Sequence, residues 1–169
     1  MNNQEKNNYV RSQILNTLLD MLKTCDIASI SISKLTSKAM IGRASFYRNY
    51  DSKEDVLRQE AKRLNKELDL ICKDDNPNDI RLRIIRIMDF YKLHSDFYMT
   101  LYKSNQKHLI QEFIVKDQDT SQDTSTIMAY TLSAFSYLIY GWIIEWIKHG
   151  MTESSKEIID MFENANNLK

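Results

Sequence analysis

The chain has 169 residues, 27% charged and 43% hydrophobic, with three Gly and one Pro; so few breakers argue against a sheet protein and for an all-α one with a real core. Its formal net charge of zero hides an uneven distribution: residues 1–50 hold seven Lys/Arg against three Asp/Glu, and residues 51–169 hold sixteen against twenty. A basic head on an acidic body is the pattern expected when only the head meets phosphate.

In chain order, about nine helices are predicted. Residues 9–23 form an amphipathic helix, with Val10, Ile14, Leu18 and Leu22 recurring every four residues and Leu15 and Leu19 widening the stripe. Small and β-branched residues at 26–32 interrupt it. Ser31 then caps a short helix over 33–39, because its hydroxyl can accept from a free N–H of the first turn. Residues 40–42 turn, and a second short helix covers 43–49 with Gly42 as its N-cap. Ser52, with Asp55 three residues on, opens a long helix in a capping-box arrangement whose buried stripe is Leu57, Ala61, Leu64, Leu68 and Ile71. The polar stretch 73–77, with its Asn-Pro, marks a joint.

Beyond it, residues 79–94 form a helix with Ile80, Ile84, Ile87, Met88 and Tyr91 on one side, and residues 95–104 another, capped by Ser95. A short helix over 107–115 precedes a polar loop at 116–125. The long helix at 126–148 ends at Gly150, a natural C-terminal cap, and a last helix at 154–166 carries Ile158, Ile159 and Phe162. Residues 124–144 have the length of a membrane span, but their Ser, Thr and Tyr content fits a helix buried between protein surfaces better, so no membrane is expected.

The informative stretch is 30–57. It reads as helix, three-residue turn, helix, then a capped long helix. Ile32, Leu35, Ala39, Ile41 and Phe46 point inward against the first helix, which leaves Arg43, Ala44, Ser45, Tyr47 and Arg48 facing out. Such a helix is narrow enough for the major groove, with Arg43 at the end that reaches bases. Lys53, at the start of the next helix, is placed for a phosphate.

These residues resemble the signature of the TetR/AcrR family, matching at Arg43, Ser45, Phe46, Tyr47, Arg48, Tyr50, Ser52, Lys53, Glu54, Asp55 and Leu57 without a gap. Two positions depart: Met40 stands where the family has a turn Gly, and a side chain there makes the turn's left-handed geometry costly, while Gly42 replaces a capping Ser. The resemblance implies a helix-turn-helix DNA-binding domain over 1–52 and a helical dimerisation and effector domain over 53–169. It assigns base readout to Arg43, Ala44, Ser45 and Tyr47, and phosphate contacts to Ser33, Tyr47, Arg48 and Lys53. In the second half, residues 96–98 and 141–152 are similar to the short branch related to the activator of dihydroxyacetone kinase.

The expected protein is thus a cytoplasmic homodimeric repressor on double-stranded DNA with a palindromic operator. A small-molecule effector is expected to release it; a protein coregulator is the alternative. The dimer interface is expected at Leu138, Trp142, Trp146, Ile158, Ile159 and Phe162, too many large side chains to leave in water. An effector pocket is expected among Met88, Tyr91, Phe97, Tyr98, Tyr102 and Tyr137, since aromatic and Met clusters between helices can line apolar cavities. Cys25 and Cys72 make no CxxC pair and no zinc spacing, His94, His108 and His149 have no metal-ligand spacing, and no catalytic constellation is present. Neither an enzyme, a metal nor a cofactor is expected, and the polar start at 1–8 does not read as a signal peptide.

Overall fold

A computed structural model describes residues 2–73, 76, 79–115 and 125–166, apart from the side chains of residues 162, 165 and 166. Among the described residues the chain is all-helical, with nine α-helices and no strand. The head comprises α1 (Asn3–Leu22), a 3₁₀ turn (Ile27–Ser29), α2 (Ile32–Lys38) and α3 (Arg43–Tyr47). α4 (Lys53–Ile71) leads into the body: α5 (Ile80–Leu93), α6 (Ser95–Lys103), α7 (Lys107–Ile114), α8 (Thr126–Lys148) and α9 (Ser155–Asn166).

Most boundaries follow local chemistry. The Ser31 hydroxyl accepts from the Lys34 N–H at 3.1 Å, and Ser52 accepts from the Asp55 N–H at 3.0 Å. The box on α4 closes differently from expectation. The Asp55 carboxylate accepts from the Asp51 N–H at 3.1 Å, one residue ahead of the cap. Complete capping boxes stand instead at Asn2/Glu5, which starts α1 six residues earlier than hydrophobic periodicity suggests, and at Ser154/Glu157 on α9. Ser95 is not a cap. It is the first residue of α6, with His94 before it making no side-chain capping bond.

Three helices end on the same device, a Schellman turn with a left-handed residue after the cap. After α8, Gly150 (φ 77) takes that place, and the Met151 N–H reaches the Trp146 carbonyl at 2.8 Å. After α6 it is Asn105 (φ 60), with the Gln106 N–H on Leu101 O at 2.7 Å. After α2 it is Met40 (φ 55), with the Ile41 N–H on Thr36 O at 2.9 Å. The left-handed turn is therefore kept without glycine, and the Met40 side chain stands 92% exposed.

The core runs through head and body. Ile14, Leu18, Leu35, Phe46, Leu57 and Leu64 are fully buried at the head end, and Met88, Leu101, Leu109, Ile110 and Ile143 in the body. Ile32 and Ile41 are half-buried against this core, as expected of inward-facing residues. The predicted stripes overreach at the joint, where Ile71 and Ile80 are exposed. α8 is mostly apolar, yet only 11% of its most apolar stretch is buried. By length and composition it is long enough to cross a bilayer.

Candidate functional site

α2 and α3 pack on α1 through Leu35, Ala39 and Phe46, which lie between 0% and 4% exposed. Burying these apolar faces turns the opposite ones outward. Residues 31–50 contain Lys34, Lys38, Arg43 and Arg48 and no carboxylate. All four cations are exposed, as are Ser33, Ala44 and Tyr47. The Tyr47 and Phe46 rings form a T-shaped pair, with centroids 5.5 Å apart at 89°, so the buried ring supports the exposed one. An Arg43 guanidinium N–H donates to the Ser33 hydroxyl, tying the start of α3 to α2.

Two predicted residues are less open. Ser45 is half-buried, and its carbonyl accepts from the Asn49 side chain at 2.9 Å. Lys53 is also half-buried. Its ammonium donates to the Ile27 carbonyl at 2.6 Å and so clamps the start of α4 to the 3₁₀ turn. A lysine ammonium has three donors, so this clamp leaves capacity for an anion beside it. Lys34 and Lys38 were not singled out from sequence, although their exposed charge extends the same basic surface.

Behind this surface, Gln59 on α4 joins three elements. Its side-chain oxygen accepts from Arg11 of α1 at 2.8 Å. Its amide donates to the Asn49 carbonyl at 3.2 Å and to the Asp55 carboxylate at 2.8 Å. The Arg11 guanidinium also stands over the Tyr50 ring, 5.4 Å from its centroid. Burial pushes the Tyr50 phenol above its ordinary value, with the Arg11 charge pulling the other way. The network sets the angle between the short helices and α4. The Asp55–Gln59 pair has ordinary i,i+4 helical spacing; Arg11, 48 residues away, had no sequence signal.

In the body, a cavity of about 550 Å³ opens between α4, α5, α7 and α8. Leu68, Ile87, Tyr91, Phe113, Phe135 and Ile139 give it an apolar wall, with Asn65, Asp69, Cys72 and Arg83 among its polar lining. Of the six residues expected to form an effector pocket, only Tyr91 lines it. Met88, Phe97 and Tyr98 are buried core, Tyr102 is half-buried elsewhere, and Tyr137 points to solvent. Burial raises the Tyr91 and Tyr98 phenols well above their ordinary value, so both stay neutral, their rings stacked 4.2 Å apart.

The expected dimer residues also divide. Trp146 and Ile159 are buried at 3% and 4% inside a single chain, so neither offers surface to a second copy. Trp146 is covered by Lys92, whose ammonium sits 5.7 Å from its ring while donating to the Glu153 carbonyl at 2.7 Å. Leu138 is exposed, Trp142 and Ile158 are half-buried, and the side chain of Phe162 lies outside the described residues. The open face of α8 instead carries Ile127, Tyr130, Ala134, Tyr137, Leu138 and Gly141, an i, i+3, i+4 stripe.

A helix-turn-helix head with a basic face, joined by a long helix to a helical body, defines a class: two-part, all-helical proteins with a small head on a larger bundle. The comparisons make this particular. The family described as "Transcriptional regulator C-terminal region" (TetR_C_8) matches residues 78–167, and the chain belongs to the TetR family of transcriptional regulators. Lin0861 from Listeria innocua is similar in structure, with a TM-score of 0.76, 14% identity and coverage of 99% of this chain and 94% of that one. A TetR-family transcriptional regulator from Streptomyces coelicolor is similar with a TM-score of 0.51, 18% identity and coverage of 94% and 77%. At these identities the likeness is one of fold. No curated protein matches the chain.

Proposed function

We propose that the chain is a cytoplasmic, homodimeric repressor that binds a palindromic operator and leaves it when a small molecule enters the body. One observation carries this reading: the exposed face of α2 and α3 holds Lys34, Lys38, Arg43 and Arg48 with no carboxylate among residues 31–50. In this reading Arg43, Ala44, Ser45 and Tyr47 meet base edges. Ser33, Tyr47, Arg48 and Lys53 meet phosphates, with Lys53 doing so while it holds the Ile27 carbonyl. A second copy covers the open apolar stripe of α8, which sets two heads for half-sites about one DNA turn apart. Protein rather than lipid suits that stripe, because the same helix packs on α5, α6 and α7 and carries Glu145, Lys148 and His149 at its end. No catalytic role is assigned to any residue.

Fluorescence anisotropy with duplex DNA from upstream of the gene, against a scrambled duplex in rising salt, tests it. Two chains should bind per duplex, selectively, with affinity falling steeply as salt rises. Arg43→Ala with Tyr47→Ala should cost at least tenfold on the specific duplex. A double variant that binds as tightly as the parent would sink the assignment.

A further inference from the structure

The cavity carries a more specific statement about its ligand, which rests on the reading of the body as an effector domain. Three arginines lie along the first two turns of α5, and they are used differently. Arg81 bonds Asp160 at 2.7 Å and Glu163 at 2.9 Å, which fastens α5 to α9. Arg86 donates to the Ile71 carbonyl at 3.4 Å and holds the end of α4. Arg83 lines the cavity, and among the described residues it has neither an ion pair nor a side-chain hydrogen bond. The other charged group of the lining, Asp69, already accepts from the Asn65 amide at 3.3 Å. The rest of the lining is apolar or neutral, Phe113, Phe135 and Ile139 among it.

An apolar chamber with one unengaged guanidinium selects a ligand of two parts. The body must be hydrocarbon or aryl, because a polar body would lose its water to walls that offer few partners. The polar end must be an anion that a planar fork can grip, and a carboxylate accepts two parallel N–H bonds from guanidinium. A cationic end would meet the like charge of Arg83, and the lining's one carboxylate, Asp69, is already bonded to Asn65. We infer that the cavity binds an apolar monocarboxylate, with its carboxylate on Arg83 and its body between α4, α5, α7 and α8.

Calorimetry on the full chain without DNA decides this, using three probes of one length: decanoate, decanol and decyltrimethylammonium. Decanoate should bind at least tenfold tighter than decanol, and the ammonium weakest. Arg83→Gln should abolish the preference for decanoate while leaving decanol unchanged, because Arg83 is an exposed residue whose loss empties no core. In a Cys25→Ser background, decanoate should slow alkylation of Cys72, which lines the same cavity. Equal affinity for acid and alcohol, preference for the ammonium, a preference that survives Arg83→Gln, an unprotected Cys72, or no binding of any probe would each overturn the assignment. Failure here leaves operator binding by the head untouched. Decanoate that binds as stated but does not release DNA keeps the site and removes its regulatory role.

Discussion

In the head, α1, α2 and α3 meet around Ile14, Leu18, Leu35 and Phe46, and directed bonds also hold its joints: Arg43 to Ser33, Lys53 to Ile27, Gln59 to Asn49. In the body, α8 runs 23 residues with one face on the core and the other uncovered, and four helices leave a cavity of about 550 Å³ between them. The head is thus complete within one chain. The body leaves apolar surface open both inside and outside. In the proposed reading, a complete head attached to an unfinished body is a physical basis for control: a ligand or second copy that favours one arrangement of the body's helices would bias the head through α4.

The sharpest test of this contrast compares two fully buried residues. Phe46→Ala in the head should cost about 3–5 kcal/mol, and Ile143→Ala in the body about 2–5 kcal/mol. The outcomes should differ in extent. Losing Phe46 empties the core beneath the short helices, so amides of α2 and α3 should lose hydrogen-exchange protection while those of α6 and α8 keep theirs. Equal loss of protection in all four helices would mean that head and body unfold as one unit, and the contrast would fail.

A smaller effect separates the two faces of α8. Leu138→Glu should weaken the proposed dimer at least a hundredfold, or about 2.7 kcal/mol, by placing a charge in the apolar stripe. It should leave the monomer's own stability nearly unchanged, because Leu138 is 44% exposed in a single chain. Trp146→Ala should do the reverse, lowering stability at protein concentrations where no dimer exists. Sedimentation and thermal unfolding of both variants read the difference. A dimer that persists in Leu138→Glu would move the interface off this face.

These contrasts also explain what could be read from the residues alone. Head chemistry is local: a hydroxyl three residues before a free N–H, or an apolar residue every fourth place, is visible in sequence, so Ser31, Ser52 and Phe46 were placed correctly. The faces of α8 are not separable from sequence, because large apolar side chains recur around most of the helix and leave no clear periodic mark to distinguish buried Trp146 from exposed Leu138. Ile159 went astray for the same reason, since burial of an apolar residue does not say against which copy. The cavity was harder still. Its position depends on where four helices fail to meet, and of the expected aromatics only Tyr91 faces that gap; the rest pack in the core, at its edge or in solvent. The Lys53–Ile27 clamp spans 26 residues and has no local signature.

The smallest effect concerns the two Schellman turns that close α2 and α8. Gly150 takes a left-handed backbone freely, while Met40 takes one of similar φ against its own Cβ. Met40→Gly should therefore stabilise the head by about 1 kcal/mol, since a side chain 92% in solvent has almost no packing to lose. Gly150→Ala should destabilise the body by about 1 kcal/mol, its φ of 77 being the obstacle rather than space, because a Cβ there meets only Thr152 at 4.0 Å. For a chain of this size each change should move the melting temperature by roughly 2–4 °C, in opposite directions. A drop on Met40→Gly would show that the methionine gives the free head more than its turn strain costs. That result would turn attention to Met40 as a residue kept for what it touches.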